Sequence, residues 1–531
     1  MSNDFFKYLS EGGNSVCFRF AGPYSSPLDG YILRVRKASA HAPSSSACST
    51  LVERHLAGIL PQDALDYTET LMTPLLSDLG CPSVILHSLR VPAPIHAPWL
   101  ESLNRQLLEN NSPSRPSSRA GTFLDTSVSP CVVLMEDGGS VRRLTPLNDA
   151  NSQSWICVEI KPKGGHLAPP WGVAGRPCRF CAMQVAKYLA GVESCGVWGE
   201  GGALGGAAAT TAATTAVAAA AARSAHVDVN ESAVLQTALP IHSLSHFCPL
   251  DLYSGDSHRV RSALQHLVMH PQNNFRVFSN GRLIYGGEEC SSAGGKAAKP
   301  SGFVALGRAL HGVLLRPPQT GNPDSCDSIR VDGSNEHEAD ATGAYSAFSQ
   351  RLLEDLVDLL TNSTPSPLSA LAALQGLASA VRGELGVMDA VRELEELLKG
   401  GLPSCTTSAV QLLLSSHVMG SGRLSPEFIS VQSSLPGKAL SLTACLVAFL
   451  VSTSARDASL LFTTAGASLN ADRDKDTLTS DKWQVRVIDL DPKHPSKLSQ
   501  FVRKDKELVE LWESTGRLIF QSARKSCGAW R

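Results

Sequence analysis

The order of patterned segments along the chain constrains its fold more than any other feature of the sequence. Strand-like segments come first: alternating ones at Val16–Phe20, Tyr31–Arg36 and Trp155–Lys161, a short apolar run at Cys131–Met135, and a hairpin pattern at Asn274–Tyr285. Long helical patterns dominate later, at Ala347–Asn362, Leu368–Leu398 and Lys438–Ser452, before a last strand at Gln484–Leu490 and a charged helix at Ser499–Gly516. Strands followed by helices predict the α+β class, with a strand-rich N-terminal lobe (1–165) and a mixed C-terminal lobe (166–531).

Low-complexity segments interrupt these patterns. Gly196–Ala225 consists almost entirely of glycine, alanine and threonine, and it has no polar–apolar periodicity. The polar stretch Pro317–Gly343 lacks periodicity as well. We predict that both are flexible loop insertions that carry no chemistry.

Charge and cysteine content exclude several classes of protein. The chain has 47 Lys and Arg against 49 Asp and Glu, a net charge of −2, which excludes a generally basic nucleic-acid binder and a highly charged disordered chain. The N-terminus has no apolar signal segment, and the apolar run Ala439–Ser452 is too short for a bilayer span. We therefore expect a soluble protein of the cytoplasm or nucleus, monomeric, with no membrane or nucleic-acid partner.

Cysteines are scattered along the chain, and one close pair stands out. Cys178 and Cys181 form a Cys-x-x-Cys motif, but no second such pair or histidine pair at zinc spacing accompanies it. The sequence therefore favours buried thiols at the start of a helix, and we expect no structural zinc.

A strand end with an acid and two lysines is the most unusual polar segment. Alternation through Glu159-Ile160-Lys161-Pro162-Lys163 places Glu159, Lys161 and Lys163 on one face, while Ile160 faces a core. Pro162 indicates that the strand is ending or lies at an edge. Lysines that converge in this way bind phosphate as point charges, although a solvated edge strand remains an alternative.

Other segments carry weaker signals, each with an ordinary structural alternative. Glu11–Ser15 is a glycine-containing hairpin that could cover phosphates, or a plain turn. Asp457 lies on a loop between apolar segments, where a phosphotransferase keeps its base, or caps a turn. Asp489 ends an apolar strand, which suits a magnesium ligand. Lys493–Lys506 holds six cationic residues, counting His494, and forms either an anion site or a solvated helix.

The order of these segments resembles the inositol-pentakisphosphate 2-kinase family over nearly the whole chain. The most specific motifs are the Glu-Ile-Lys-Pro-Lys box at Glu159–Lys163 and the run Gln272–Phe278. Asp251-Leu252-Tyr253-Ser254-Gly255 and Ile488-Asp489-Leu490 agree with it. The Asp-x-Lys-x-Gly box of other inositol polyphosphate kinases is absent, as are the His-Arg-Asp and Asp-Phe-Gly motifs of protein kinases.

The resemblance implies a two-lobed, distantly protein-kinase-like fold and Mg²⁺-dependent transfer of the ATP γ-phosphate to the 2-hydroxyl of inositol 1,3,4,5,6-pentakisphosphate. It implies that Asp457 is the catalytic base and Asp489 the catalytic magnesium ligand. The implied nucleotide-binding residues are Gly12, Gly13, Asn14, Ser15, Arg34, Glu136, Asp137, Glu159, Arg276 and Asp489. The implied substrate-binding residues are Arg119, Lys161, Lys163, Lys187, Asn273, Asn274, Asp457, Lys493, Lys497 and Phe501.

Some positions depart from the family pattern. Met183 stands where the family usually has histidine, and Phe501 where tyrosine is expected, so Phe501 has no hydroxyl to donate. Plant members carry a zinc site in the C-terminal lobe, but the corresponding stretch 368–422 holds only Cys405 and His417 as cysteine or histidine. Two alternatives to an active 2-kinase stay open: a non-catalytic scaffold that binds inositol phosphates, and a kinase of altered substrate choice.

Overall fold

A computed structural model describes most of the patterned segments and few of the low-complexity ones. The described residues are 5–11, 15–20, 30–37, 50–61, 63–81, 88–91, 93–109, 132–137, 155–167, 176–194, 245–286, 302–314, 338–363, 365–382, 386–401, 405–419, 435–465 and 483–517, with positions 22, 26, 28, 123, 124 and 527. The predicted loop 196–225 lies outside them. The predicted loop 317–343 is partly wrong, because residues 338–343 are helical.

The first sheet is antiparallel and comes from the N-terminal part of the chain. Its strands are β1 (Phe6–Glu11), β2 (Ser15–Phe20), β3 (Tyr31–Arg36), β4 (Ser88–Arg90) and β5 (Val132–Glu136), in the spatial order β1-β2-β3-β5-β4. Alternate residues of β2 and β3, such as Phe18 and Leu33, are fully buried in one hydrophobic cluster. The alternation in the sequence therefore predicted β2 and β3 correctly.

The second sheet collects strands that are far apart in sequence. Its strands are β6 (Trp155–Ile160), β7 (Phe275–Ser279), β8 (Arg282–Tyr285), β9 (Ser459–Ala465) and β10 (Gln484–Ile488), in the order β10-β9-β6-β7-β8. The predicted β7–β8 hairpin is confirmed: Asn280 and Gly281 have φ angles of 45° and 75°, the positive values that a type I′ turn needs. β6 is central, so both of its neighbours fix the strand that leads into Lys161.

Fourteen α-helices accompany the two sheets in the described part of the chain. They are α1 (Leu51–Ile59), α2 (Ala64–Tyr67), α3 (Thr73–Asp78), α4 (Ala93–Glu109), α5 (Arg179–Ser194), α6 (Pro249–Leu252), α7 (Ser257–Met269), α8 (Gly302–Leu314), α9 (Glu338–Asn362), α10 (Pro367–Arg382), α11 (Val387–Lys399), α12 (Thr407–Met419), α13 (Leu435–Asp457) and α14 (Leu498–Leu511). The pattern Leu368–Leu398 forms two helices, because α11 begins after Gly386, and glycine is costly inside a helix. Mixed helix and sheet confirms the α+β class.

The larger core is centred on α13. Leu446, Val447 and Leu450 of this helix are fully buried. Its segment Pro436–Asp457 is long and apolar enough to cross a membrane by length and composition, but 78% of its most apolar window is buried inside the protein, as in a core helix. Residues of α1, α3 and β6 belong to the same core, although all three elements precede the predicted lobe boundary. The lobe boundary at residue 165 stays a prediction.

Candidate active site

Two aspartates lie at neighbouring ends of secondary structure elements. α13 ends at Asp457, and β9 begins two residues later at Ser459. Ser459 pairs with Ile488, the last residue of β10, so Asp489 emerges at the same edge of the sheet. Asp489 has a φ angle of 64°, a left-handed conformation that aspartate tolerates better than most residues and that ends the strand.

Lys161 joins the strand-end acid to the acid of the Glu-x-Lys-Pro-Lys box. Its Nζ atom lies 2.8 Å from Asp489 Oδ2 and 3.8 Å from Glu159 Oε1. The Oγ atom of Ser459 lies 3.0 Å from Glu159 Oε1 and 3.2 Å from Asp489 Oδ2. Burial favours the neutral form of Asp489, but Lys161 and Arg34 outweigh it and hold its pKa below the usual range. Asp489 and Lys161 therefore form a charged pair at neutral pH.

Asp457 is the more accessible of the two aspartates. Its side chain is 56% exposed, and its Oδ2 atom lies 2.7 Å from Lys493 Nζ. Burial acts to raise its pKa, but Lys493, Lys163 and Lys161 pull the pKa below its ordinary value. Asp457 is thus an exposed carboxylate surrounded by lysines, which suits a group that meets a polyanionic substrate.

Hydrogen bonds to its backbone, and not the predicted strand alternation, fix the position of Lys163. β6 ends at Ile160, and Lys163 has a φ angle of 62°, so the extended pattern does not reach it. Gln375 and Tyr253 hold its backbone instead: the carbonyl of Lys163 accepts from Gln375 Nε2 at 2.9 Å and from the Tyr253 hydroxyl at 3.2 Å. The prediction that one strand face carries both lysines is therefore wrong for Lys163.

Gln375 is a functional candidate that the sequence did not indicate. It is fully buried on α10; its Oε1 atom accepts from the Gly165 N–H at 2.7 Å, and its Nε2 atom lies 3.3 Å from the Ala455 carbonyl. Ala455 precedes Asp457 by two residues, so one amide joins the loop of Lys163 and Gly165 to the end of α13. A single glutamine in an apolar helix gives no signal of this kind in sequence.

We expect Gln375→Leu to lower the free energy of unfolding by about 1–3 kcal/mol, since buried partners lose their hydrogen bonds. We also expect it to lower the transfer rate, although Gln375 itself need not touch substrate, because Lys163 and Asp457 lose their common support. Denaturant unfolding and initial rates measure the two effects. Gln350→Leu, which changes an exposed glutamine on α9, is the matched control. Unchanged stability and rate in Gln375→Leu would contradict this role.

Arg34 connects the two sheets at the predicted phosphate end. Its Nε atom donates to Ser15 Oγ at 3.1 Å, and its guanidinium pairs with Asp491, three residues beyond β10. The carbonyl of Asp491 accepts from Ser454 on α13 at 2.7 Å. Arg34 and Ser15 are therefore brought to the aspartate end of the second sheet, and their binding of nucleotide stays a prediction. Gly12, Gly13 and Asn14, predicted to cover the nucleotide phosphates, lie outside the described residues.

The side chain of Asp137, a predicted hinge residue, forms a structural ion pair with Arg19. Its Oδ2 atom accepts from Arg19 Nε at 2.8 Å, and Arg19 Nη1 donates to the Gly281 carbonyl at 2.7 Å. The Asp137 N–H donates to the Gly30 carbonyl at 2.8 Å. Glu136 ends β5 and is half-buried.

Arg276 of β7 and Asn274, directly before this strand, each have a buried side-chain atom with no hydrogen-bond partner among the described residues. Arg276 Nη1 lies 3.6 Å from Glu159 Oε2, while its buried Nε has no partner among the described residues. Asn274 is 3% exposed, and its Oδ1 atom is also without a partner in the described part of the chain. Buried polar atoms of this kind are rare unless a ligand or water completes them. Asn273, by contrast, is exposed.

A comparison of the sequence with models of known families identifies the family of this chain. A family model described as inositol-pentakisphosphate 2-kinase matches residues 8–507. The chain belongs to this family. The resemblance drawn from the motifs is thereby confirmed.

Individual relatives agree with the family. An inositol-pentakisphosphate 2-kinase of Danio rerio is 29% identical over 295 residues, which cover 54% of this chain and 45% of the relative. That of Drosophila melanogaster is 56% identical over 46 residues, 9% of this chain and 7% of the relative. That of Arabidopsis thaliana is 44% identical over 70 residues, 13% and 15% of the two chains. The match thus spans less than half the length of each of these relatives.

The remaining residues that the resemblance assigned to substrate differ in position. Lys187 is exposed on α5 and lies close enough to Lys163 to lower its pKa. Lys497 is exposed at the start of α14, and Phe501 is partly buried against the larger core. Arg119 lies outside the described residues. The structure brings Lys187 towards the site, and the roles of Lys497, Phe501 and Arg119 stay predictions.

Lys163 gives an expected pH dependence. Burial lowers its pKa, Asp457 offsets part of this, and Lys161 and Lys187 lower it further, for a net pKa below the usual 10.5. Because the pKa is lowered, Lys163 loses its positive charge at a lower pH than an ordinary lysine does. As the pH is raised, affinity for a polyanionic substrate should therefore start to decrease before pH 10.5 is reached. We expect Lys163→Arg, which stays charged, to move this fall to higher pH in binding titrations. Coincident profiles for the two proteins would contradict the assignment.

Proposed function

We propose that this protein transfers the γ-phosphate of ATP to the 2-hydroxyl of inositol 1,3,4,5,6-pentakisphosphate and produces inositol hexakisphosphate. The observation that carries the proposal is the pairing of two aspartates with separate lysines at one edge of the second sheet, with Lys163 beside them. The positive charges of Lys161, Lys163 and Lys493 suit a substrate that carries five phosphates. Family membership supports the reaction class.

Asp457 and the lysines have separate tasks in this reaction. As the 2-hydroxyl oxygen forms a bond to the γ-phosphorus, its proton passes to Asp457, and the bond to the bridging oxygen breaks with its electron pair leaving on ADP. The transition state of phosphate transfer is loose, so positioning and charge neutralisation contribute most. Lys161, Lys163 and Lys493 supply that neutralisation from the protein.

Asp489 is the residue we propose to hold Mg²⁺. The donor set around it fits a hard cation, because Asp489 and Glu159 each offer a carboxylate oxygen within hydrogen-bonding reach of the Ser459 hydroxyl. When bound, Mg²⁺ would neutralise charge on the β- and γ-phosphates. Lys161 keeps the Asp489 carboxylate oriented and ionised, and Arg34 approaches the same edge from the first sheet.

The experiment is a panel of inositol phosphates that differ in phosphate number and position, each incubated with the protein, ATP and Mg²⁺. We expect the highest kcat/KM for the 1,3,4,5,6-pentakisphosphate. Preference for another acceptor would favour the kinase of altered substrate choice, which Met183 and Phe501 motivate. Binding without turnover of any acceptor would favour a non-catalytic scaffold. The proposal includes a two-lobed, protein-kinase-like arrangement and a monomer in the cytoplasm or nucleus that needs no nucleic acid or membrane.

A further inference from the structure

Two glutamine side chains join α5 to the turn that precedes β7. Gln184, on α5, is 3% exposed, and Gln272, in the turn, is half-buried. Gln184 Nε2 donates to Gln272 Oε1 at 3.3 Å, and Gln272 Nε2 donates to Gln184 Oε1 at 3.2 Å. Each amide group both donates and accepts, so the two side chains form a reciprocal pair that holds the turn at one distance from the helix.

The turn has an unusual backbone conformation at Gln272. The φ angle of this residue is 47°, in the left-handed region that is unfavourable for a residue with a long side chain. The turn is closed by the Asn274 N–H, which donates to the Pro271 carbonyl at 2.8 Å. Strained backbone of this kind persists where surrounding contacts hold it in place, and it is concentrated at functional sites. The reciprocal bonds to Gln184 are such a contact.

The same turn is attached to the acid–lysine site. The Lys161 N–H donates to the Asn274 carbonyl at 2.9 Å, and Lys161 Nζ pairs with Asp489. Asn274 is buried, and its Oδ1 atom has no partner among the described residues, so a ligand or a water molecule is needed to complete it. On the other side of the amide pair, Lys187 follows Gln184 by three residues and therefore lies near the same face of α5.

We propose that Gln184 and Gln272 are positioning residues for the inositol phosphate acceptor, an inference that rests on the function proposed above. Neither side chain needs to touch the acceptor. Their pair sets the separation between α5 and the turn, so that Lys187 is presented at a fixed distance from Asn273 and Asn274. The phosphates of an inositol ring have fixed relative positions, and polar groups that are already placed to meet them lose less freedom on binding.

A double-mutant cycle on the full chain tests the pair in binding titrations with inositol 1,3,4,5,6-pentakisphosphate. Gln272→Gly removes one amide group, and because glycine adopts a φ angle of 47° without strain, this variant should fold as stably as the wild type. We expect its affinity for the inositol phosphate to fall about 10-fold. Gln184→Leu should lower the affinity by a similar factor. The double variant should bind no more weakly than either single variant, since the first change already breaks the pair.

Two controls separate positioning from a general loss of structure. Affinity for ATP should be unchanged in all three variants, and Gln350→Leu, on the exposed face of α9, should bind the inositol phosphate as the wild type does. Wild-type affinity in Gln272→Gly would overturn the proposal even if Gln184→Leu fails to fold. Losses that multiply to about 100-fold in the double variant, or an equal loss of ATP affinity, would also overturn it.

The titrations need no turnover, so they distinguish failure of this inference from failure of the proposed function. A wild-type protein that binds the inositol phosphate while the variants bind it equally well would contradict the amide pair alone. A wild-type protein that binds no inositol phosphate would contradict the proposed function, and the inference with it.

Discussion

Asp457→Asn should lower the rate of phosphate transfer by about 10²–10⁴-fold, the usual contribution of a positioned general base. Affinity for inositol pentakisphosphate should stay the same or tighten, because the variant removes a negative charge from a lysine-rich site without changing the shape of the side chain. Single-turnover rates and binding titrations separate the two effects.

The control for this variant is Asp389→Asn, which changes an exposed aspartate of α11 that pairs with Arg392 on the same helix. Exposed pairs of this type contribute about 0–1 kcal/mol, so rate and affinity should match the wild type. If Asp457→Asn still transfers phosphate at the wild-type rate, the protein is a kinase but Asp457 is not its base.

Asp489→Asn should lower kcat/KM by about 10³-fold, equivalent to roughly 4 kcal/mol of transition-state stabilisation. Two consequences follow from its contacts. The donor set loses the carboxylate that suits Mg²⁺ best, and Lys161 loses the partner at 2.8 Å that fixes its position. The requirement for Mg²⁺ should shift to higher concentration, while binding of inositol pentakisphosphate should change little.

The two aspartate variants should therefore differ in how their activity depends on the Mg²⁺ concentration. At saturating ATP, the Mg²⁺ concentration that gives half-maximal activity should be higher in Asp489→Asn and unchanged in Asp457→Asn. Asp389→Asn is the common control. A magnesium titration that is unchanged in Asp489→Asn would contradict its role as the metal ligand and leave the base assignment intact.

Local patterns predicted the strands well, and they predicted the long-range contacts poorly. Alternation found β6 and the burial of Ile160, and the Asn280-Gly281 pair fixed the hairpin, because both depend on neighbouring residues. Gln375 acts through bonds to residues on three distant segments, which no period or spacing encodes. Lys163 depends on those bonds, so its position could not be read from the strand pattern.

A group of four buried cysteines, Cys178, Cys181, Cys248 and Cys527, whose Sγ atoms lie within 4.8 Å of one another, illustrates the same limit. Sequence spacing shows Cys178 and Cys181 as a pair, but the fold alone brings Cys248 and Cys527 to them. Cys527 lies beyond residue 507, where the family match ends, so the motif order gave no reason to include it. The two aspartates, by contrast, stand next to strand boundaries that the sequence shows, and the structure brings both to one edge.

The most direct test of the proposed reaction is an NMR analysis of the product formed from ATP, Mg²⁺ and inositol 1,3,4,5,6-pentakisphosphate. We predict one new phosphate resonance that couples to the proton on carbon 2 of the ring, with formation of one ADP for each phosphate transferred. A product phosphorylated elsewhere, or ATP hydrolysis without a new phosphate ester, would contradict the account.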